Sequence, residues 1–295
     1  MTSNLARRIA VSAIAIPAAL WVIYLGGWPL ALVLAALGAL GTWEVFGLAQ
    51  REGIRPLAVP GLLAAAAIPL LAYVTLGRTD SGVVCLYCGR SLDPLLLPLA
   101  ALWVLGAFGV ALRVRSPSEK PLTAIAVTVF APLYTSGLLS LLYVLRYGPV
   151  AALRSAGGLW FAAAPLVVMW ACDTAAMAAG SLIGGPKLVP VLSPNKTWAG
   201  AVVGTLVAVV AALVLGHIRL WGFSPPLTTP ELIAVGLVVA LAGQVGDVAE
   251  SLLKREAAVK DSSTLIPGHG GVLDRLDSLY FAIPATALLY TVLQL

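Results

Sequence analysis

The chain has 295 residues, 60% of them hydrophobic and 11% charged, with a mean hydropathy of +0.98 and a formal net charge of +5. A soluble domain carries roughly 45–50% apolar and about 25% charged residues, so this composition excludes an ordinary soluble fold and makes length a count of membrane spans. The basic residues fall in short loops between apolar runs, which reports topology and not nucleic-acid binding.

Taken in order, nine apolar runs approach the ~20 residues that cross the hydrocarbon: 9–26, 28–48, 57–76, 95–113, 122–145, 158–181, 198–217, 232–253 and 274–294. They predict an all-α polytopic membrane protein of about nine transmembrane helices. The first run follows Arg7 and Arg8, as a signal peptide would. It is near spanning length and lacks a small-residue cleavage site, so a retained helix is expected. No Ser/Gly linker, repeat or low-complexity stretch divides the chain. One membrane domain over 1–295 is expected, with N-terminal helices in 1–157 and catalytic helices and loops in 158–295.

Alternating sides along these runs puts Arg7, Arg8, Arg51, Arg55, Arg113, Arg115, Lys120, Lys187, Lys196, Lys254, Arg255, Lys260 and Arg275 on one face of the membrane. Arg78, Arg90, Arg146, Arg154 and Arg219 fall on the other. That division of the 18 basic residues places the richer side and the N-terminus in the cytoplasm, and the C-terminus outside. Cys85 and Cys88, in CLYC, then lie in an exterior loop where a disulfide could persist. A zinc site there would need two further ligands, and no others stand nearby in sequence.

Six acids lie in or at the ends of spans: Glu44, Asp173, Asp247, Glu250, Asp274 and Asp277. Ionisable groups at membrane depth are costly and usually face a cavity or a partner, so these six are functional candidates. All lie toward the cytoplasmic side, which predicts a cytosol-facing polar cavity in the C-terminal half. Glu44, in WEVFGL, has no sequence neighbour that defines a role.

The most charged stretch runs from Asp247 to Ser278. Asp247, Glu250, Ser251 and Lys254 are spaced i, i+3, i+4, i+7 and so share one helix face. Asp274 and Asp277 repeat the i, i+3 spacing at the start of the last run. Two helix ends thus present carboxylates, whose oxygens suit a hard cation such as Mg²⁺. Between them, Lys254, Arg255, Lys260 and Arg275 supply positive charge, and Gly268, Gly270 and Gly271 let backbone approach an anion.

A second stretch reads DTAAMAAGSLIGGPKLVPVLSPNKTWAGAVVG from Asp173 to Gly204. Its small residues permit close helix packing. Lys187, Ser193, Lys196 and Thr197 follow in a loop, where Ser193 or Thr197 could cap the next helix and Lys196 could reach a phosphate. GSLIGGPK is not a P-loop, because Pro186 and Leu188 occupy the Lys and Ser/Thr positions.

The run from Ser251 through Lys254-Arg255, Lys260-Asp261, His269-Gly270-Gly271 and Asp274-Arg275-x-Asp277 resembles the membrane-integral phosphatidate cytidylyltransferases, also called CDP-diacylglycerol synthases. Gln244, Gly246 and Asp247 resemble that family's QxGD, SPNKT with Gly200 resembles its SPxKTxEG, and Asp173 matches its span-six aspartate. The likeness is close over about 173–278 and rests on span count and hydropathy before that. It departs at Ala199, where the family usually has Glu, and at Met177 and Ser181, where Tyr and Arg are common.

The resemblance implies that CTP and phosphatidic acid give CDP-diacylglycerol and pyrophosphate. It also implies a Mg²⁺-dependent centre with a second cation, and a homodimer of nine-span chains contacting membrane lipid. The expected setting is a bacterial plasma membrane, with the active site facing the cytoplasm. On this reading Asp247, Asp274 and Asp277 are metal ligands. Lys254, Arg255, Lys260 and Arg275 hold triphosphate or lipid phosphate, beside Asp261 in the same catalytic set. His269, Gly270 and Gly271 shape a nucleotide loop. Asp173, Lys187, Ser193, Lys196, Thr197 and Ser251 complete the substrate side. Two alternatives remain: a CTP-dependent polyprenol or lipid kinase, which releases CDP, and a secondary transporter. Transporters often show two related halves, whereas here the polar residues concentrate toward the C-terminus.

Overall fold

Runs of Leu, Ala and Val fold as helices, and polar or Gly/Pro residues punctuate them. The computed structural model describes residues 2–77, 96–148, 155–218, 223–265 and 270–293. Cys85, Cys88 and His269 lie outside the described residues. In chain order the helices are α1 (Thr2–Leu25), α2 (Gly27–Arg51), α3 (Ala58–Ala72), α4 (Leu96–Val114), α5 (Pro121–Pro132), α6 (Leu138–Ser140) and α7 (Leu142–Tyr147). They continue with α8 (Ser155–Leu182), α9 (Trp198–His217), α10 (Thr229–Glu256), α11 (Leu273–Leu276) and α12 (Leu279–Val292). Helix starts follow local chemistry. Pro121 opens α5, where its missing N–H costs nothing, and Thr197 caps α9 by accepting a hydrogen bond from Gly200 N at 3.1 Å.

Seven segments are long and apolar enough to cross a membrane: Gly27–Arg51, Ala58–Thr75, Leu97–Val114, Pro121–Tyr147, Gly158–Leu182, Trp198–His217 and Thr229–Glu256. This is an all-α membrane protein. The outermost two of the nine expected runs fall on α1, described as an apolar helix over Ala13–Leu25, and on α11 with the 14-residue α12. The side chains support the membrane reading. Large apolar residues such as Leu97, Leu112, Leu122 and Leu206 point outward, while Glu44 and Glu250 are fully buried.

One expectation fails in detail. The stretch after α8 contains a two-stranded antiparallel hairpin, with β1 (Lys187–Val189) pairing with β2 (Ser193–Thr197), and Lys187 stands opposite Thr197. SPNKT is therefore a strand leading straight into α9, not an irregular loop.

The chain divides into two compact units, Met1–Ser140 with Glu256–Arg275, and Leu141–Arg255 with Leu276–Leu295. In the first, α2 lies against α3 where Gly61 faces Phe46; a Cβ at 61 would overlap that ring. The hydroxyls of Thr42 and Thr135 meet at 2.7 Å, tying α2 to a π-helical turn at Leu133–Gly137. Leu57 N, at the start of α3, donates to Thr128 Oγ1 at 2.8 Å. Leu57, Ala107, Ala111 and Ile125 form a small apolar cluster that seats α4 on α5.

In the second unit α8 runs along α9. Gly204 permits this approach, since a Cβ there would meet Ala176 Cβ at 2.9 Å and Cys172 O at 3.0 Å. Trp160 Nε1 donates to Leu215 O at 3.0 Å, closing the other end of the pair. Gly236 brings α10 to within contact of the α9 backbone at Val209.

Candidate functional site

In the second unit α10 carries Asp247, Glu250, Ser251 and Lys254 as the helical spacing requires. Gly246 precedes Asp247 for a steric reason. A Cβ there would stand 2.6 Å from Asp277 O and 3.0 Å from the Phe281 ring, so only glycine admits the backbone at the start of α12. That approach brings two carboxylates together. Asp277 stands in the two-residue step between α11 and α12, within the last of the nine apolar runs, and its carboxylate repels that of Asp247.

Lys196, on β2, reaches the same place from the hairpin: its Nζ lies 2.6 Å from Asp247 Oδ2. Lys196 and Lys254 both act on Asp277 as attractive charges. Lys254 is itself paired with Glu250 one helical turn earlier, and both are buried. Four expected residues thus meet here: Asp247, Asp277, Lys196 and Lys254. Ser251 is buried on the same helix. Arg255 is exposed, and its Nε donates to Leu192 O at 3.1 Å, which holds the turn between β1 and β2. Gln244, one turn before Asp247, donates to Thr205 Oγ1 at 3.0 Å on α9.

The remaining residues of this unit are more dispersed. Lys187 is exposed at the open end of the hairpin, and Ser193 pairs opposite Val189 near its turn. Thr197 is buried as the α9 cap, so its hydroxyl is committed to backbone. Asp173 is exposed on α8.

In the first unit the described parts of the loop 256–275, residues 256–265 and 270–275, surround two acids. Asp274 is buried, and its Oδ2 accepts from Ser262 N at 2.8 Å, Ser262 Oγ at 2.7 Å and Gly271 N at 2.8 Å. Gly270 adopts φ +78°, and a Cβ there would stand 2.6 Å from Asp274 Oδ2. Lys260, Asp261 and Arg275 are exposed around this fold.

The second acid is Glu44, on α2. Its Oε1 accepts from Ser263 Oγ at 2.7 Å and Val272 N at 2.9 Å; its Oε2 accepts from Ser262 Oγ at 3.0 Å and Leu273 N at 2.7 Å. Sequence reading singled out Glu44 without a role and passed over Ser262 and Ser263. The one signal available was negative, a carboxylate inside an apolar helix with no local partner. Among the described residues no three His, Cys, Asp or Glu side chains form a metal-holding cluster.

The family model described as "Cytidylyltransferase family" matches residues 6–293. The chain is similar to a phosphatidate cytidylyltransferase of Brucella suis, 45% identical over 127 residues, which is 42% of this chain and 43% of that protein. It is similar to the phosphatidate cytidylyltransferase of Haemophilus influenzae at 38% over 133 residues, 45% of this chain and 46% of the relative. A Staphylococcus epidermidis phosphatidate cytidylyltransferase is 39% identical over 132 residues, 43% of this chain and 47% of the relative. Each match thus spans under half the relative's length, whereas the family model runs through nearly every element described above. This chain belongs to the cytidylyltransferase family.

Proposed function

We propose that this protein transfers the cytidylyl group of CTP to phosphatidic acid, releasing pyrophosphate and leaving CDP-diacylglycerol in the membrane. The observation that carries the reading is Lys196 Nζ on Asp247 Oδ2, on an α10 face that also carries Lys254 and that packs at Gly246 against the backbone of Asp277. Paired carboxylates flanked by ammonium groups suit a reaction among phosphates. They do not suit an acyl or glycosyl transfer, which would call for a nucleophile with its base or for two separated acids.

A phosphate monoester is already an anionic nucleophile near neutral pH, since its second pKa is about 6. One of its oxygens attacks the α-phosphorus of CTP in line; the new P–O bond forms as the bond to the bridging oxygen breaks, and pyrophosphate departs with that electron pair. No side chain needs to become covalently attached. What the protein must supply is position and charge. Lys196 and Lys254 would neutralise phosphate oxygens, with the exposed Arg255, Lys260 and Arg275 drawing the triphosphate from the cytosol.

The carboxylates fit a magnesium ion. Asp247 and Asp277 repel each other, and a bound cation would relieve that repulsion. Mg²⁺ commonly takes one or two carboxylates and fills its shell with water and substrate phosphate, so two suffice. Bound there, it would supply charge neutralisation for the attacking and leaving oxygens. Asp274 is also proposed as a metal ligand, and a metal would compete with the contacts now made by its Oδ2. A second cation, nine spans with a cytoplasmic N-terminus, a cytosol-facing cavity, a homodimer and residence in a bacterial plasma membrane complete the proposal.

The test is product analysis with purified protein, phosphatidic acid and radiolabelled CTP, with and without Mg²⁺. Pyrophosphate and CDP-diacylglycerol in equal amounts are expected. CDP with a phosphorylated lipid would replace this reading by a lipid kinase, and nucleotide-independent substrate flux into vesicles would replace it by a transporter.

A further inference from the structure

We infer that Glu44 is a positioning residue for the nucleotide loop, a carboxylate on an N-terminal helix that pins both ends of that loop. The assignment of the loop to nucleotide rests on the function proposed above; the pinning rests on geometry alone.

The four bonds to Glu44 are arranged in pairs. Each oxygen takes one serine hydroxyl from the outgoing limb, Ser263 on Oε1 and Ser262 on Oε2. Each also takes one backbone N–H from the returning limb, Val272 on Oε1 and Leu273 on Oε2. The chain therefore leaves the carboxylate at 262–263 and returns to it at 272–273. Glu44 is fully buried, so every one of these bonds is made away from water, where a carboxylate lacking donors would be costly. Gly271 shows how close the fit is: a Cβ there would overlap Ser262 Oγ and both Glu44 oxygens.

Asp274 Oδ2 makes the same closure from inside the loop, binding Ser262 and Gly271. Ser262 Oγ lies between the two acids, 3.0 Å from Glu44 and 2.7 Å from Asp274, and shares its single hydrogen between them. The roles differ in kind. Asp274 can hold the loop closed on itself, whereas Glu44 fixes it to α2. The pinned stretch includes or adjoins Lys260, Asp261, Gly270 and Arg275, the loop residues proposed to meet triphosphate. Glu44 touches none of the reacting groups in this arrangement. Its contribution to the reaction is the place from which those residues act.

Glu44→Gln keeps the volume of the side chain but replaces one acceptor oxygen by an NH₂ donor that must face two donors. The expected result has two parts. Backbone amide deuterium exchange over 257–276 rises by ~10-fold or more, with α9 unchanged, because the loop opens locally. The KM for CTP rises by about 10-fold or more while the KM for phosphatidic acid stays within about twofold. Wild-type exchange in the loop overturns the inference. So does an increase spread evenly over both units, or an equal rise in both KM values, each of which marks general loosening. If Glu44→Gln protein does not fold, Ser263→Ala removes one of the four bonds and leaves the acid in place. It should show the same loop-confined, CTP-selective pattern at smaller size, and wild-type behaviour in both readouts would overturn the inference equally. Absence of pyrophosphate release by wild-type protein would instead sink the proposed function, and the exchange measurement would still decide the pinning.

Discussion

Lys196 Nζ lies 2.6 Å from Asp247 Oδ2, joining the β2 strand to the middle of α10. Both side chains are partly exposed, at 23% and 32%, so the pair is not a buried strut. Exposed pairs of this kind contribute roughly 0–1 kcal/mol to stability. An ammonium held beside a carboxylate at low stability cost is well placed to exchange that partner for a phosphate. Lys196→Ala is therefore expected to leave the melting temperature nearly unchanged and to lower kcat/KM for CTP by about 100-fold, the scale seen when one preorganised charge is removed from a transition state. Lys196→Arg should recover part of it. Steady-state pyrophosphate release and a thermal melt on the same preparations check both.

Gly246→Ala places a methyl 2.6 Å from Asp277 O, a backbone atom that cannot swing aside. Overpacking of this kind costs roughly 1–3 kcal/mol. It also pushes Asp277 away from Asp247. The variant should melt lower and lose Mg²⁺ affinity in parallel, and elevated Mg²⁺ should restore part of its rate. Unchanged Mg²⁺ dependence would separate the two aspartates.

Asp274→Asn tests the loop and the metal together. The amide can keep one acceptor oxygen but brings a donor toward Ser262 N, Ser262 Oγ and Gly271 N. Faster deuterium exchange over 257–276 and a loss of about 100-fold or more in turnover are expected. Purified Asp274→Asn that turned over CTP at the wild-type rate with Mg²⁺ would remove Asp274 from the metal proposal.

What could be read from sequence followed the range of each interaction. The i, i+3, i+4, i+7 spacing put Asp247, Glu250, Ser251 and Lys254 on one face, and the helix does present them so. Thr197 was legible as a cap because its partner is three residues away. The Glu250–Lys254 pair is equally local at i, i+4, with Glu preceding Lys in the favourable order. The hairpin was missed because SPNKT carries a proline and no alternation of apolar residues, and its pairing is the only mark of a strand. Glu44 lay beyond any pattern, since its partners stand 218 to 229 residues further on. Local rules reach one turn of helix. That contact needs the whole fold.

The separation between Glu44 and its partners has a consequence for how the chain is made. A ribosome adding 5–20 residues each second needs on the order of ten to forty seconds to produce Ser262 once Glu44 has been joined. Throughout that interval α2 carries an acid without the four donors that later hold it. Nascent chains arrested before residue 262 should therefore keep this helix only loosely inserted, open to quality-control proteases or in need of an insertase to shelter it, and emergence of the loop would be the step that locks it in place.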